Sequence, residues 1–180
     1  MLPLRRTQSG LGLIEEIVVL IVLAVIAAFA IPAFSRMLDS HELRVAQTDF
    51  LAALQHARSL AVNGQTQMVL CPSRDALTCN SDSDWTHGWL VGRDKGKGEL
   101  DGQPLYVGSG DFKRLRIFGS DAKKTIRFSP DGSAGNSYQT LYFCVRGKTD
   151  RALRVVISRL GRARGDVASA ADAEKCAKDD

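Results

Sequence analysis

The sequence predicts an α+β protein in which a long N-terminal helix, first transmembrane and then amphipathic, packs on an antiparallel β-sheet head. Three observations carry that prediction. Residues 17–34 include no charged side chain, and 18 residues of helix span roughly 27 Å, close to the thickness of bilayer hydrocarbon. Beyond them Leu43, Ala46, Phe50, Leu54, Ala57 and Ala61 recur at steps of three and four, the spacing of one apolar helix face. After Gly64 the chain breaks into short segments rich in β-branched and aromatic residues, separated by Gly, Asp, Ser and Pro. That is the pattern of strands joined by turns.

The chain has 180 residues, 44% hydrophobic and 24% charged. This suits one globular domain with an appendage. The net charge is +4, so any acidic partner has to be argued from where the charges sit.

At the N-terminus, Arg5 and Arg6 are the only charges in residues 1–10. Basic residues before an apolar span place the N-terminus in the cytoplasm and the body on the far side. A secretory signal peptide needs a short apolar region followed by a small-x-small site. AVIAAFA (24–30) contains such a site, but the apolar run continues through it. A plain anchor explains the length but not Glu15 and Glu16, because a carboxylate in the bilayer is costly. Pro32 lacks an N–H and predicts a kink near the membrane exit. The amphipathic pattern continues to Asn63-Gly64, a fitting C-cap, so one helix is expected over about 12–63.

In the head, QTQMVLC, GWLVGRD, RLRIFG, TIRFS, TLYFCVR and ALRVVISRL read as strands. SPDGSAGN (129–136) reads as a turn and RGKTDR (146–151) as a hairpin loop. The expectation is one antiparallel sheet of six to eight strands. Four cysteines, Cys71, Cys79, Cys144 and Cys176, are spaced C-x7-C and C-x31-C, unlike CxxC metal or redox motifs. Outside the cytoplasm disulfides are the simplest reading. Three pairings are possible; joining neighbours in sequence favours Cys71–Cys79 and Cys144–Cys176.

No catalytic constellation is legible. His41, His56 and His87 are scattered and none sits in HExxH. Asp82 and Asp84 lack the other ligands of a calcium loop. The glycines of GRDKGKGELDG do not lie between a strand and a helix as a phosphate loop does, and read as a hairpin loop. The sequence predicts a non-enzymatic protein with no cofactor and no metal.

The informative charge is local. Residues 144–164 hold Arg146, Lys148, Arg151, Arg154, Arg159, Arg162 and Arg164 against Asp150 alone, while residues 165–180 are net acidic. Arg162 and Arg164, two apart beside Gly161, suit a flexible extended segment reaching successive phosphates of double-stranded DNA. Arg has planar donors for phosphate oxygens, and such binding is salt-dependent through counterion release. The loop cations would widen the patch. The competing reading is an edge strand charged against edge pairing, or cations that pair with acidic neighbours in an assembly.

Residues 9–15, SGLGLIE, resemble the leader junction of type IV pilins and type II secretion pseudopilins. In that family a basic leader ends in Gly, the fifth mature residue is Glu, and a proline stands at mature position 22. Cutting after Gly10 makes Leu11 the first residue, Glu15 the fifth and Pro32 the twenty-second. Leu11 and Gly12 stand where Phe and Thr are usual, and Glu16 where an apolar residue is usual.

The resemblance implies removal of residues 1–10 by a prepilin peptidase, methylation of the Leu11 amine, a filament-core helix over 11–38 and a head over 39–180. It also answers the question of Glu15. A buried carboxylate needs a cation, and the new amine of a neighbouring subunit supplies one, which favours assembly with other major and minor pilins. Glu16 receives no role.

The head resembles the FimU/FimT (GspH-like) subgroup of minor pilins and pseudopilins through ALQHARSLAV, MVLCPS, the Trp85/Gly88/Trp89 stretch, Gly92-Arg93-Asp94, IRFSPDG and ISRLGRAR. Gly161-Arg162-Ala163-Arg164 resembles the GRxR tail of FimT-type pilins, which implies capture of DNA in natural transformation. The alternative within the same class is a structural or priming minor pilin, or a type II secretion pseudopilin, without DNA binding. The expected location is the bacterial inner membrane with the head in the periplasm, then an extracellular pilus.

Overall fold

The structure, a computed structural model, describes residues 12–176 apart from 111, 121, 122 and 149. The chain forms two compact units that divide between Leu38 and Asp39. One helix, α1 (Leu13–Gly64), runs through the division.

In the first unit α1 is apolar and unburied. Its most apolar 18-residue window has a mean hydropathy of 3.1, and none of that window is buried. By length and composition the helix is able to cross a membrane. Pro32 lies inside it and does not end it.

The second unit is built on residues 39–64 of α1 and, among the described residues, eight strands. These are β1 (Met68–Pro72), β2 (Gly88–Gly96), β3 (Glu99–Ser109), β4 (Leu115–Gly119), β5 (Ile126–Phe128), β6 (Gln139–Val145), β7 (Ala152–Ile157) and β8 (Ala163–Val167). A four-residue helix, α2 (Ala170–Ala173), follows.

All strand pairings are antiparallel. The strands form two sheets rather than the one expected, ordered β3-β2-β1-β5 and β4-β6-β7-β8. The split arises because β5 pairs back to β1 while β6 pairs with β4. Both sheets contribute to one core with the helix.

The six residues of the expected helix face are all buried, with Ala53 between them. Phe50 is the centre: its ring meets Trp85 at 5.5 Å, Trp89 at 5.0 Å and Phe143 at 5.8 Å, all edge-on. Aromatic pairs prefer such T-shaped geometry. The two tryptophans are therefore core residues that seat the sheets on α1.

β3 and β8 are edge strands that the sequence pattern did not mark. β3 carries Pro104, which an edge tolerates because no ladder hydrogen bond is lost there. The chain around Arg162 is not a flexible segment. Gly161 sits at φ +75° in a tight turn, and a β-carbon there would drive into the carbonyl of Gly132. Directly after it β8 pairs with β7, Arg164 opposite Val156 and Asp166 opposite Arg154.

Two disulfides pin the loops. Cys71–Cys79 closes the chain after β1, with Cα atoms 5.5 Å apart. Cys144–Cys176 ties the C-terminal segment to β6, with Cα atoms 5.7 Å apart. That segment packs Cys176, Ala168 and Ala173 against Tyr142, Cys144, Ala152 and Phe118.

Candidate nucleic-acid interface

The register of the second sheet sorts its side chains. Gly165 faces Gln47 and Leu51 of α1, and a β-carbon there would press on both. Side chains alternate across a strand, so Arg164 and Asp166 point to the opposite, outer face. Their cross-strand neighbours there are Val156 and Arg154, then Thr140 and Tyr142.

The seven cations of residues 144–164 do not form one patch. The end where β6 passes to β7, here the base, holds Arg146, Lys148 and Arg151, and each meets an oxygen. Arg146 Nε donates to the Leu115 carbonyl at 3.0 Å. Lys148 Nζ donates to Asp39 Oδ2, and Arg114 Nη1 lies 3.7 Å from Asp39 Oδ1. Asp39 is only 4% exposed, and a buried carboxylate needs such partners. Arg151 Nη1 donates to Ser40 Oγ, and its Nε lies 3.7 Å from Asp150 Oδ2.

In the middle Arg154 is held under the C-terminal segment. Its Nη1 donates to Asp172 Oδ2 at 2.9 Å. The buried Asp172 also accepts from Lys175 Nζ at 3.0 Å, Ser169 Oγ at 2.8 Å and the Tyr142 hydroxyl at 3.1 Å. These hydrogen bonds, the one from Lys175 first, hold the Asp172 carboxyl well below the usual carboxylate range against the opposing effect of burial. The acidic C-terminal segment thus pairs one of the seven cations with a buried acid, which Lys175 shares.

The other end, the tip, is the turn from β7 to β8. The Ser158 N–H donates to the Arg162 carbonyl at 2.9 Å, and the Gly161 N–H to the Ser158 carbonyl at 2.9 Å. The Arg162 N–H donates to Ser158 Oγ at 3.1 Å. The Arg159 carbonyl accepts from the N–H groups of Ala134 and Gly135. This turn is therefore fixed on both sides.

Arg159 stacks over the Tyr138 ring at 4.7 Å. Arg164 is 71% exposed at its side chain, with Nε 3.3 Å from Asp166 Oδ2. Arg162 is exposed, and among the described residues no ion pair or side-chain hydrogen bond engages its guanidinium.

The two ends lie at opposite ends of the head's helix. The base cations touch residues 39 and 40, while the Gly161 turn sits on Gly132, whose carbonyl accepts from Arg58 Nε at 3.0 Å. Eighteen residues of helix separate positions 40 and 58, about 27 Å.

Of the N-terminal residues singled out, Glu15 and Glu16 lie exposed in the first turn of α1. The Glu15 N–H donates to the Gly12 carbonyl at 2.8 Å. Gly10 and Leu11 lie outside the described residues. The residues that sequence reasoning missed are Asp39, Asp172 and Tyr138. Asp39 and Lys148 are 109 positions apart, and no local signal links them.

A long apolar N-terminal helix continuing into a helix that packs on antiparallel sheets defines a pilin-like subunit. The chain belongs to the family described as type II transport protein GspH, whose model matches residues 46–161. Among solved structures it is similar to the type IV minor pilin FimU of Pseudomonas aeruginosa. In one crystal form the identity is 25% with a TM-score of 0.58, covering 73% of this chain and 92% of that one. A second crystal form gives 25% and 0.56, covering 72% and 94%.

The minor pseudopilin EpsH from the Type 2 Secretion System of Vibrio cholerae shares the fold. Its identity is 14% and its TM-score 0.51, covering 70% of this chain and 97% of that one. The function of the chain is accordingly that of a minor pilin or pseudopilin, and its pilin relatives imply interaction with other pilins in an assembly. Its unburied apolar helix is consistent with membrane anchoring.

Proposed function

We propose that this chain is a type IV minor pilin that binds extracellular double-stranded DNA for uptake in natural transformation, through Arg159, Arg162 and Arg164. The observation that supports it is the tip: exposed Arg159 and Arg162 on a turn held by five hydrogen bonds, Arg162 with no ion pair or side-chain hydrogen bond among the described residues, and exposed Arg164 on the strand that follows. A fixed turn loses little freedom when a phosphate docks. Each phosphate neutralised releases counterions, so three contacts give a log–log salt slope of about −2.7. Phosphate contacts carry no sequence information, so little base preference is expected. Arg146, Lys148, Arg151 and Arg154 become supports of the head rather than DNA contacts.

Assembly follows the same proposal. A prepilin peptidase cuts between Gly10 and Leu11, the Leu11 amine is methylated, and Glu15 of one subunit neutralises the amine of another inside the filament. Before assembly the chain sits in the bacterial inner membrane with its head in the periplasm; afterwards it lies in the extracellular pilus. The 25% identity to a type IV minor pilin supports a pilus rather than a secretion filament.

A second reading is a structural or priming minor pilin, or a secretion pseudopilin, without DNA. The Arg164–Asp166 pair favours it, because that cation already has an internal acid.

The test is a titration of the full chain in detergent micelles against labelled double-stranded DNA at several salt concentrations, beside R162A/R164A. Binding that weakens with salt and is lost in the double variant is expected. Absent binding, or binding indifferent to both arginines, leaves the second reading.

A further inference from the structure

We propose that the base of the head is a membrane-contact surface, which holds the phosphates of anionic phospholipid headgroups through Arg44, Lys113 and Arg114 before the chain enters a filament, a proposal that rests on the membrane placement above and not on the DNA reading. The base is where α1 enters the head, at Asp39. The apolar run closes at Phe34, and five residues reach at most about 18 Å even when fully extended. With residues 17–34 in the bilayer, the chain itself keeps the base within reach of the headgroups.

The fold collects these three cations at that end. Arg44 follows Ser40, the residue that accepts from Arg151, by one helical turn on the same face of α1. Lys113 lies in the turn that the Leu115 N–H closes on the Phe112 carbonyl at 3.1 Å. The Arg114 carbonyl accepts from the Arg146 N–H at 2.9 Å, which sets this turn beside the connection from β6 to β7. The base therefore takes its cations from α1, from the turn before β4 and from the β6–β7 connection.

Their partners differ from those of Arg146, Lys148 and Arg151. Arg44 and Lys113 are exposed, and among the described residues no ion pair or hydrogen bond engages their side chains. Arg114 is 52% exposed at its side chain and lies 3.7 Å from an Asp39 carboxylate that Lys148 already pairs. Two cations on one carboxylate leave a positive charge over. Of the acids here, Asp39 is buried and Asp150 lies against Arg151, leaving the half-buried Glu42 against three cations.

Such a surface suits a layer of phosphodiesters. An anionic bilayer attracts basic residues beside it, and the attraction fades within a Debye length, about 8 Å at physiological ionic strength. Position therefore decides which polyanion a patch serves, and the short tether to the bilayer favours lipid for this one. Guanidinium groups offer planar donors to phosphate oxygens, while the Lys113 ammonium acts as a point charge.

The experiment places the full chain in lipid nanodiscs, of phosphatidylcholine alone or with phosphatidylglycerol added, each with a trace of lipid carrying a dansyl headgroup. The chain has two tryptophans, Trp85 and Trp89, both buried in the head, so energy transfer from them to dansyl reads the approach of the head to the bilayer. Transfer should be about 1.5-fold greater in the anionic discs at low salt and should fall to the phosphatidylcholine level at high salt. R44Q/K113Q should lose at least about half of that rise, and R44K/K113R, which keeps both charges, should retain it. Thermal unfolding of both variants should match the unmodified chain. Equal transfer in the two kinds of disc, or a rise that R44Q/K113Q leaves intact, overturns the proposal while the membrane placement stands. R44Q/K113Q that leaves transfer unchanged but weakens binding of a labelled duplex assigns the base to DNA instead. A chain that does not incorporate into discs overturns the membrane placement as well.

Discussion

At the base of the second sheet the cations meet oxygens of buried or half-buried groups; at its tip Arg159 meets a ring, Arg164 an exposed acid and Arg162 solvent. Both ends are equally basic in sequence, yet Lys148 is tied to a buried aspartate and Arg162 to nothing among the described residues. A cation paired with a buried acid contributes to folding and little to the outside field. A cation held by a backbone turn or an aromatic face keeps its field. Lys148 and Arg154, paired with the buried Asp39 and Asp172, therefore offer less to a polyanion than the count of +6 over residues 144–164 suggests.

This contrast can be broken most forcefully at the base. Lys148→Ala leaves the buried Asp39 carboxylate, among the described residues, with Arg114 alone as a cation beside it at 3.7 Å. Losing one partner of a buried pair should cost about 2–3 kcal/mol in denaturant unfolding, with the affinity for DNA unchanged. Should K148A unfold at the same denaturant concentration and bind DNA less, the division between the two ends is wrong.

A somewhat smaller effect is expected at Gly161, where φ is +75° and the Gly132 carbonyl stands close. G161A should cost about 1–2 kcal/mol and also weaken DNA binding, because the turn carries Arg159 and Arg162. A variant that binds normally would show that the turn's rigidity is irrelevant to the site.

Asp172 sharpens the comparison through pH. Its carboxyl is held low in the folded chain, so the ionised form favours folding. That contribution is full above the unfolded carboxylate value near 4 and fades as pH falls below it. Asp172→Asn should lower stability by about 1–2 kcal/mol at pH 7. The gap from the unmodified chain should narrow below about pH 4, and a gap independent of pH would refute the assignment.

The smallest effect is expected from Asp166→Asn. The Arg164–Asp166 pair is exposed, so stability should move by less than about 0.5 kcal/mol. Freed of its acid, Arg164 should bind DNA modestly tighter, and a weaker complex would show that Asp166 orients Arg164 rather than competing for it.

The helix was legible because its burial is one-sided and periodic: Leu43 through Ala61 recur on one face, and the core needs them there. The central strands were legible because buried strands are apolar runs, as β1 and β6 are. β3 and β8 were not, because an edge strand with one face in water tolerates Pro104, Gly165 and Asp166 and loses the apolar signature. The site was half legible. Arg162 and Arg164 stand out as a local motif, but the acids that remove Lys148 and Arg154 from the patch reach them only through the fold. Gly161 was misread for a related reason: the same residue type serves a loose linker and a turn packed against another backbone, and only the approach of Gly132 tells them apart.

The most direct test of the account is a pairwise comparison in one salt-dependent DNA titration of the full chain: R162A/R164A at the tip against R146A/R151A at the base, equal in charge removed. The account predicts that the tip pair weakens binding by well over tenfold and flattens the salt slope of what remains by about two units, while the base pair retains affinity within about twofold. Equal losses from both pairs, or a larger loss from the base, would contradict it.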